Sequence, residues 1–242
     1  MKTKQRLLKD LLYMFNKHIQ KEDVVNYMME VLYENKGSHG TDHIKNVLNL
    51  GSDILVRFKT DPKYTNKYYS NIYDDFMLTA LFHDCTSSID RDNHENSGAD
   101  YFESIAEGIL DPDRVILISS AIRHHRASYK GELNNFLEEV MSSADRGVPN
   151  SLESRIARSY MFNIERGFDI ESSWNNAIKH MIDKFGRNGY QKLPDLYKEV
   201  FNHELSNLWG LIDNIHSLDL TSLKTSLLQN TKNLEEGKYE MF

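Results

Sequence analysis

Histidine and aspartate side chains stand next to one another at several points of this sequence. His83 and Asp84 follow the apolar run "TALF", His124 and His125 form a second pair, and Asp145 lies in "MSSADRG". Imidazole and carboxylate groups without thiolates form a ligand set that suits Mn, Fe, Co, Ni or Zn in a reactive site better than a structural zinc. The residue types therefore indicate a site for a divalent metal ion.

Each of these residues, taken singly, also has an ordinary structural explanation. A lone histidine at a helix end is commonly a capping or surface residue, and Asp145 alone would be a polar helix end. His125 continues an apolar stripe with Ile118 and Ile122, so it points inward, where its ring needs a partner. A hydrogen-bonded core histidine is the alternative there. We expect three further histidines to be surface residues: His18, His180 and His203.

Helical periodicity dominates the elements that must position these side chains. Apolar residues at i, i+3 and i+4 predict a helix from about Asp42 to Phe58, which begins beside His43. The run "FMLTALFH" is apolar on nearly every side, which is typical of a buried helix. Further periodic stretches are Leu133–Ala144, Trp174–Phe185 before the stop signal Gly186, and Leu205–Ile212.

The stretch "DPDRVILISSAIRHH" permits two interpretations. Its Val-Ile-Leu-Ile run would suit a strand, but Pro112 between Asp111 and Asp113 favours the first turn of a helix. No alternating strands with Asn-Gly turns occur elsewhere. The sequence therefore predicts an all-α fold with eight to ten helices.

Length and composition narrow the class of protein. The chain has 242 residues, of which 40% are hydrophobic and 27% charged, so it can bury a sizeable core. The net charge of -7 disfavours binding to polymeric nucleic acid, which requires a basic surface. Cys85 is the single cysteine, which excludes an intrachain disulfide and favours a reducing compartment. With neither a signal-peptide pattern nor a transmembrane-length apolar stretch, we expect a cytoplasmic protein without membrane contact.

The order of these residues resembles the HD-domain superfamily of metal-dependent phosphohydrolases. The similar segments are "HGTDHIKNVLNL", "ALFHDC", "HENSGADYF", "AIRHHR" and "SSADRGVPN", and "SRIARSYMF" is similar to small bacterial HD nucleotide hydrolases. The resemblance covers residues 38–162 and implies an HD-domain helical bundle. We predict an N-terminal helical extension on the core (1–37), the metal-binding core (38–165) and C-terminal accessory helices with a tail (166–242). The accessory helices would pack on the core or form a homodimer surface.

The resemblance also implies a ligand set. His43, His83, Asp84 and Asp145 would bind the first metal ion, and Asp84 would bridge to a second. The residues that would complete this optional second site are His94, His124 and His125. The number of ions, one or two, stays open. The metal also stays open among Mn, Fe, Co, Ni, Zn and Mg.

Phosphoryl oxygens that gain negative charge need cationic partners. Arg123 and Arg126 flank the paired histidines, so we expect them to act in catalysis with Asp84 and to contact phosphate. An equally simple explanation is that basic residues favour a helix C-terminus. The expected substrate contacts are His39, Thr86, Ser87, Arg91, Lys130 and Arg146. In "HDCTSS" the chain departs from many family members, which carry a small apolar pair and a lysine there.

The function that these residues predict is hydrolysis of phosphate ester or anhydride bonds by a metal-activated water. The expected partner is a nucleotide or a similar small phosphorylated compound. Alternatives are a phosphodiesterase of a cyclic or linear dinucleotide signal, a diiron HD-type oxygenase, and a binding module that keeps the pocket without turnover. The segment "HHRASYKGE" lacks the glycine and tyrosine signature of one cyclic-di-GMP phosphodiesterase subclass.

Overall fold

The computed structural model describes residues 41–149 and 151–235, which form helices and loops and contain no strand. The ten α-helices of this part are α1 (Thr41–Phe58), α2 (Ile72–Phe82), α3 (His94–Ala106), α4 (Pro112–His124), α5 (Phe136–Asp145), α6 (Leu152–Glu165), α7 (Ile170–His180), α8 (Asp195–Val200), α9 (Asn202–Asp213) and α10 (Thr221–Glu235). Short 3-10 turns span Thr65–Lys67 and Ile215–Ser217, and a π-helical turn spans Met181–Phe185. The predicted all-α class is confirmed. The predicted extension 1–37 and His39 lie outside the described residues.

Capping residues explain two of the helix starts. Asp111 caps α4, where its side chain accepts a hydrogen bond from the Asp113 amide at 2.9 Å, so "DPDRVILISSAIRHH" is a helix and not a strand. The periodic stretch from Leu133 becomes helical only at Phe136, because Asn135 caps the helix there. None of the helices in the described ranges is long and apolar enough to cross a membrane.

The chain divides into two compact units. Of the described residues, 41–147 and Leu193–Val200 belong to one unit, and 148–149, 151–192 and 201–235 belong to the other. The first contains α1 to α5 and α8, and the second contains α6, α7, α9 and α10. All candidate site residues that the structure describes belong to the first unit. The division at residues 37 and 165 stays a prediction.

Helix α2 is the centre of the first unit. Phe76, Leu78, Ala80 and Phe82 expose 0% of their surface, which confirms that the apolar run forms a buried helix. The apolar stripe of α1 and the inner face of α5 belong to the same buried cluster. The buried helix thus gives a rigid support to the residues at its C-terminal end.

Helices α2 and α4 run side by side in the same direction. Near their starts, Arg114 of α4 donates two hydrogen bonds to the Asp75 carboxylate of α2, at 2.9 and 2.6 Å. At their ends, the rings of His83 and His125 have centroids 5.0 Å apart. The two helices are therefore in contact at their starts and at their ends, and their C-terminal ends bring His83 and His125 together.

The close approach of α1 to α2 depends on a glycine. A Cβ at Gly51 would lie 1.9 Å from Cζ of the buried Phe76 ring. We therefore expect Gly51→Ala to lower the free energy of unfolding by about 1–3 kcal/mol through overpacking. Urea denaturation measures this change. In Gly210→Ala the new Cβ meets no atom within 4 Å, so this control should be neutral or more stable. Equal changes in the two variants would contradict the packing argument.

Candidate metal centre

Six side chains from the ends of five helices converge in two groups. His43 lies in the first turn of α1, His83 and Asp84 follow α2, and His94 begins α3. The C-cap of α4 is His125, and α5 ends with Asp145. The first group is His43, His83 and Asp145, and the second is Asp84, His94 and His125; within each, the ligand atoms lie within 4.8 Å of one another. Each group therefore offers two imidazoles and one carboxylate.

The first group has the spacing of atoms that share one ion. His43 Nε2 lies 3.2 Å from His83 Nε2 and 3.1 Å from Asp145 Oδ1. The distance from His83 Nε2 to Asp145 Oδ1 is 3.7 Å. Ligand atoms at about 2.1 Å from a metal ion are themselves roughly 3 Å apart, so the triangle fits a small divalent cation.

Asp84 turns one oxygen toward each group. Its Oδ2 lies 3.2 Å from His83 Nε2 and 3.6 Å from His43 Nε2. Its Oδ1 lies 3.1 Å from His94 Nε2 and 3.7 Å from His125 Nε2. A carboxylate in this position can bridge two ions.

Three of the histidines are oriented by main-chain carbonyls. The Nδ1 atoms of His83, His94 and His125 lie 2.7, 2.8 and 2.6 Å from the carbonyl oxygen three residues earlier in each case. A carbonyl only accepts hydrogen bonds, so Nδ1 carries the proton and Nε2 keeps its lone pair for a ligand. Histidines that bind metals are commonly held in this way. Donor types, spacing and ring orientation together fit a divalent metal ion.

The carboxylates of Asp84 and Asp145 favour a positive charge on the His83 ring. Burial opposes a charge on the His83 ring, but the Asp84 and Asp145 carboxylates outweigh it and raise the pKa of His83 to about 9. Burial lowers the pKa of His125 to about 4. Burial also acts to raise the pKa of Asp145, yet its hydrogen bond to His43 and the nearby imidazoles hold that pKa well below its usual range. A divalent cation would satisfy the same two carboxylates.

The structure does not bring His124 into either group. Its Nδ1 lies 3.3 Å from Oε1 of the buried Glu138, and its ring stacks on Tyr129 with centroids 4.3 Å apart. Consecutive residues of a helix point about 100° apart, so His124 and His125 face different neighbours. The geometry therefore gives no support to the predicted ligand role of His124.

The two arginines predicted to contact phosphate are held by carboxylates of α3. Arg123 pairs with Asp100, and its Nη1 donates to Glu103 at 2.7 Å. Arg126 donates from Nη1 to both oxygens of Glu95, at 3.1 and 3.0 Å. Sequence reasoning missed these acidic partners. Their contact with phosphate stays a prediction.

Two of the other predicted substrate contacts, Thr86 and Arg146, lie beside residues of the second group. Thr86 donates to the His94 carbonyl at 3.0 Å, and the half-buried Ser87 follows it. Arg146 donates from Nη1 to the His125 carbonyl at 3.4 Å. Arg91 and Lys130 are exposed. Thr86 and Arg146 thus contact the main chain of candidate ligands, and the substrate contacts themselves remain predictions.

Comparisons with known proteins give one structural likeness. No protein-family model matches the chain, and no curated protein does. The structure is similar to the 1.45 Å crystal structure of a predicted HD superfamily hydrolase from an uncultured Thermotogales bacterium, with 20% sequence identity and a TM-score of 0.41. The match covers 66% of this chain and 83% of the other.

Proposed function

We propose that this protein is a metal-dependent hydrolase of phosphate ester or anhydride bonds in a nucleotide or similar small phosphorylated compound. The observation that supports this most is the position of Asp84, which has one oxygen beside each of two groups of ligand atoms. Two ions a few ångströms apart suit the displacement of a leaving oxygen at phosphorus.

The residues of the chain have separable roles in this proposal. Bound divalent ions lower the pKa of a coordinated water to about 7 and polarise a phosphoryl oxygen. His83, His94 and His125 would direct their Nε2 atoms to the ions, and Asp84 and Asp145 would balance the ionic charge. His43 and Asp145 are 23% and 19% exposed, whereas Asp84 is 2% exposed. The substrate therefore approaches from the side of the first group.

Charge favours a small substrate over a polymer. The chain carries a net charge of -7, and Arg123 and Arg126 are already paired with carboxylates. A long polyanion would find little continuous positive surface around such a site. We also propose a cytoplasmic location, because the single Cys85 suits a reducing compartment.

The test begins with metal analysis of the purified chain. Nucleotides, a chromogenic phosphate monoester and dinucleotides are then assayed with Mn, Co, Ni, Fe and Mg. Release of phosphate or pyrophosphate supports the leading proposal, and release of mononucleotides from a dinucleotide supports the phosphodiesterase alternative. His83→Ala should lose the activity, whereas the control variant His203→Ala, at an exposed position of α9, should keep it. A chain that binds no divalent ion, or a fully active His83→Ala variant, would refute the proposal.

One observation favours an oxygenase as the second candidate. Each ligand group contains two histidines and one carboxylate, which is the set that binds iron in many non-haem oxygenases. Oxygen consumption by the iron-loaded chain, without hydrolysis of any phosphate compound, would establish this candidate over the hydrolase.

A further inference from the structure

We propose that Arg126 is a positioning residue for the second ligand group. It fastens the segment Arg91–Glu95 to the end of α4, so that His94 and His125 reach the same ion. The inference rests on the proposed metal centre and assigns Arg126 a role other than phosphate contact.

Arg126 contacts residues that lie before and after the candidate ligand His94 in the sequence. Arg126 directly follows His125, and its Nη1 donates to the Asp92 carbonyl at 2.8 Å. The same atom lies 3.1 and 3.0 Å from the two Glu95 carboxylate oxygens. His94 lies between these two partners. One guanidinium therefore holds the main chain before His94 and the side chain after it.

The segment that Arg126 holds also sets the direction of the His94 ring. His94 donates from Nδ1 to the Arg91 carbonyl at 2.8 Å, and its Nε2 lies 3.1 Å from Asp84 Oδ1. Arg91 precedes Asp92 directly, so a shift of the Asp92 carbonyl would move the group that aims His94. Because α3 begins at His94, no earlier helical turn fixes this residue from the N-terminal side.

A positioning role for Arg126 predicts different effects on metal affinity and on the stability of the fold. Arg126 and Glu95 are 32% and 18% exposed, and partly exposed ion pairs contribute little to the stability of the fold. Loss of a group that orients a metal ligand costs about 10- to 100-fold in metal affinity. Removal of Arg126 should therefore affect the second ion far more than it affects unfolding.

Arg123 provides a matched control. It lies three residues earlier, is 28% exposed, and also pairs with acidic residues of α3, in its case Asp100 and Glu103. Both partners lie more than one helical turn beyond His94. Arg126→Ala and Arg123→Ala therefore each remove one positive charge from the same region. Only Arg126→Ala also removes the contacts to the segment around His94.

The experiment is titration calorimetry of the metal-free full chain with Mn²⁺ and with Co²⁺, with thermal unfolding measured in parallel. We expect two ions per chain in the wild type and in Arg123→Ala. In Arg126→Ala, one ion should bind 10- to 100-fold more weakly while the other keeps its affinity, and the metal-free melting temperature should match that of Arg123→Ala. Arg126→Lys, which can still donate to the Asp92 carbonyl, should show an intermediate affinity.

The outcomes separate this inference from the proposed function. Wild-type affinities for both ions in Arg126→Ala, or an equal loss in Arg123→Ala, would overturn the positioning role. A wild-type chain that binds no divalent ion overturns the metal centre and this inference together. If the Arg126 dependence is found but no phosphate compound is hydrolysed, the positioning role stands and the proposed activity fails.

Discussion

Replacement of Asp84 by asparagine is expected to weaken both ions together and to reduce hydrolysis about 1,000-fold. The Asp84 oxygens lie 3.1 to 3.7 Å from four histidine Nε2 atoms, two in each group. Asparagine keeps the shape but removes the negative charge, and its NH₂ group cannot bind a cation. We expect the transition state to lose about 4 kcal/mol of charge stabilisation, which corresponds to a 1,000-fold lower rate.

Metal content per chain and the hydrolysis rate measure this effect. Asp145→Asn is the matched control, because Asp145 belongs to the first group alone. It should lose affinity for one ion and keep the other. If Asp84→Asn kept one ion at wild-type affinity, the carboxylate would not be shared between the groups.

Replacement of Arg114 by methionine is expected to lower the free energy of unfolding by about 3–5 kcal/mol at pH 8, because it leaves a buried carboxylate without its cation. Asp75 is 0% exposed and accepts both hydrogen bonds from Arg114. Burial raises the pKa of Asp75 even though the Arg114 guanidinium acts to lower it. Without the guanidinium this pKa rises further.

The sign of the pH dependence follows from that shift. A carboxyl whose pKa is raised in the folded state holds its proton more tightly there than in the unfolded chain. The folded state is then favoured at low pH, and its stability falls as pH rises from the unfolded pKa to the folded pKa. The cost of Arg114→Met should thus be smaller at pH 5 than at pH 8.

Urea denaturation of the wild type and of Arg114→Met, each at pH 5 and pH 8, tests this pH dependence. The double variant Asp75→Asn/Arg114→Met removes the charge as well as its partner, so it should recover much of the loss at pH 8. A cost for Arg114→Met that is the same at both pH values would contradict the buried-charge explanation.

The helix ends that carry the ligands could be predicted from the sequence because burial and capping leave local signals. The apolar run before His83 marks a buried helix, and Pro112 beside Asp111 marks the start of α4. The stripe through Ile122 indicated that His125 points inward, as the structure confirms with its 2% exposure. Each of these inferences uses residues within two or three helical turns of one another.

The partners of the arginines could not be predicted, because they depend on how α3 packs against α4. Arg123 and Glu103 are 20 residues apart, and Arg126 and Glu95 are 31 apart. No periodicity within one helix encodes such a contact. Glu95 and Glu103 lie in a different segment from the arginines, so the sequence around Arg123 and Arg126 does not reveal that carboxylates pair with them.

The partner of His124 did have a local signal. Asn135 and Glu138 have the spacing of a capping box: the Glu138 amide donates to Asn135 Oδ1, and Asn135 Nδ2 donates to Glu138 Oε1, both at 2.9 Å. That pattern predicts a carboxylate fixed at the start of α5. Its contact with His124 requires the packing of α4 on α5, which the sequence leaves open.

The carbonyl groups that orient three of the histidines belong to Ala80, Arg91 and Ile122. Every residue type supplies a main-chain carbonyl, so substitutions at these positions leave the acceptors in place. The surroundings of the ions can therefore change through mutation while the ligands keep their direction. A site built in this way can acquire a new substrate specificity in evolution without first rebuilding its metal centre.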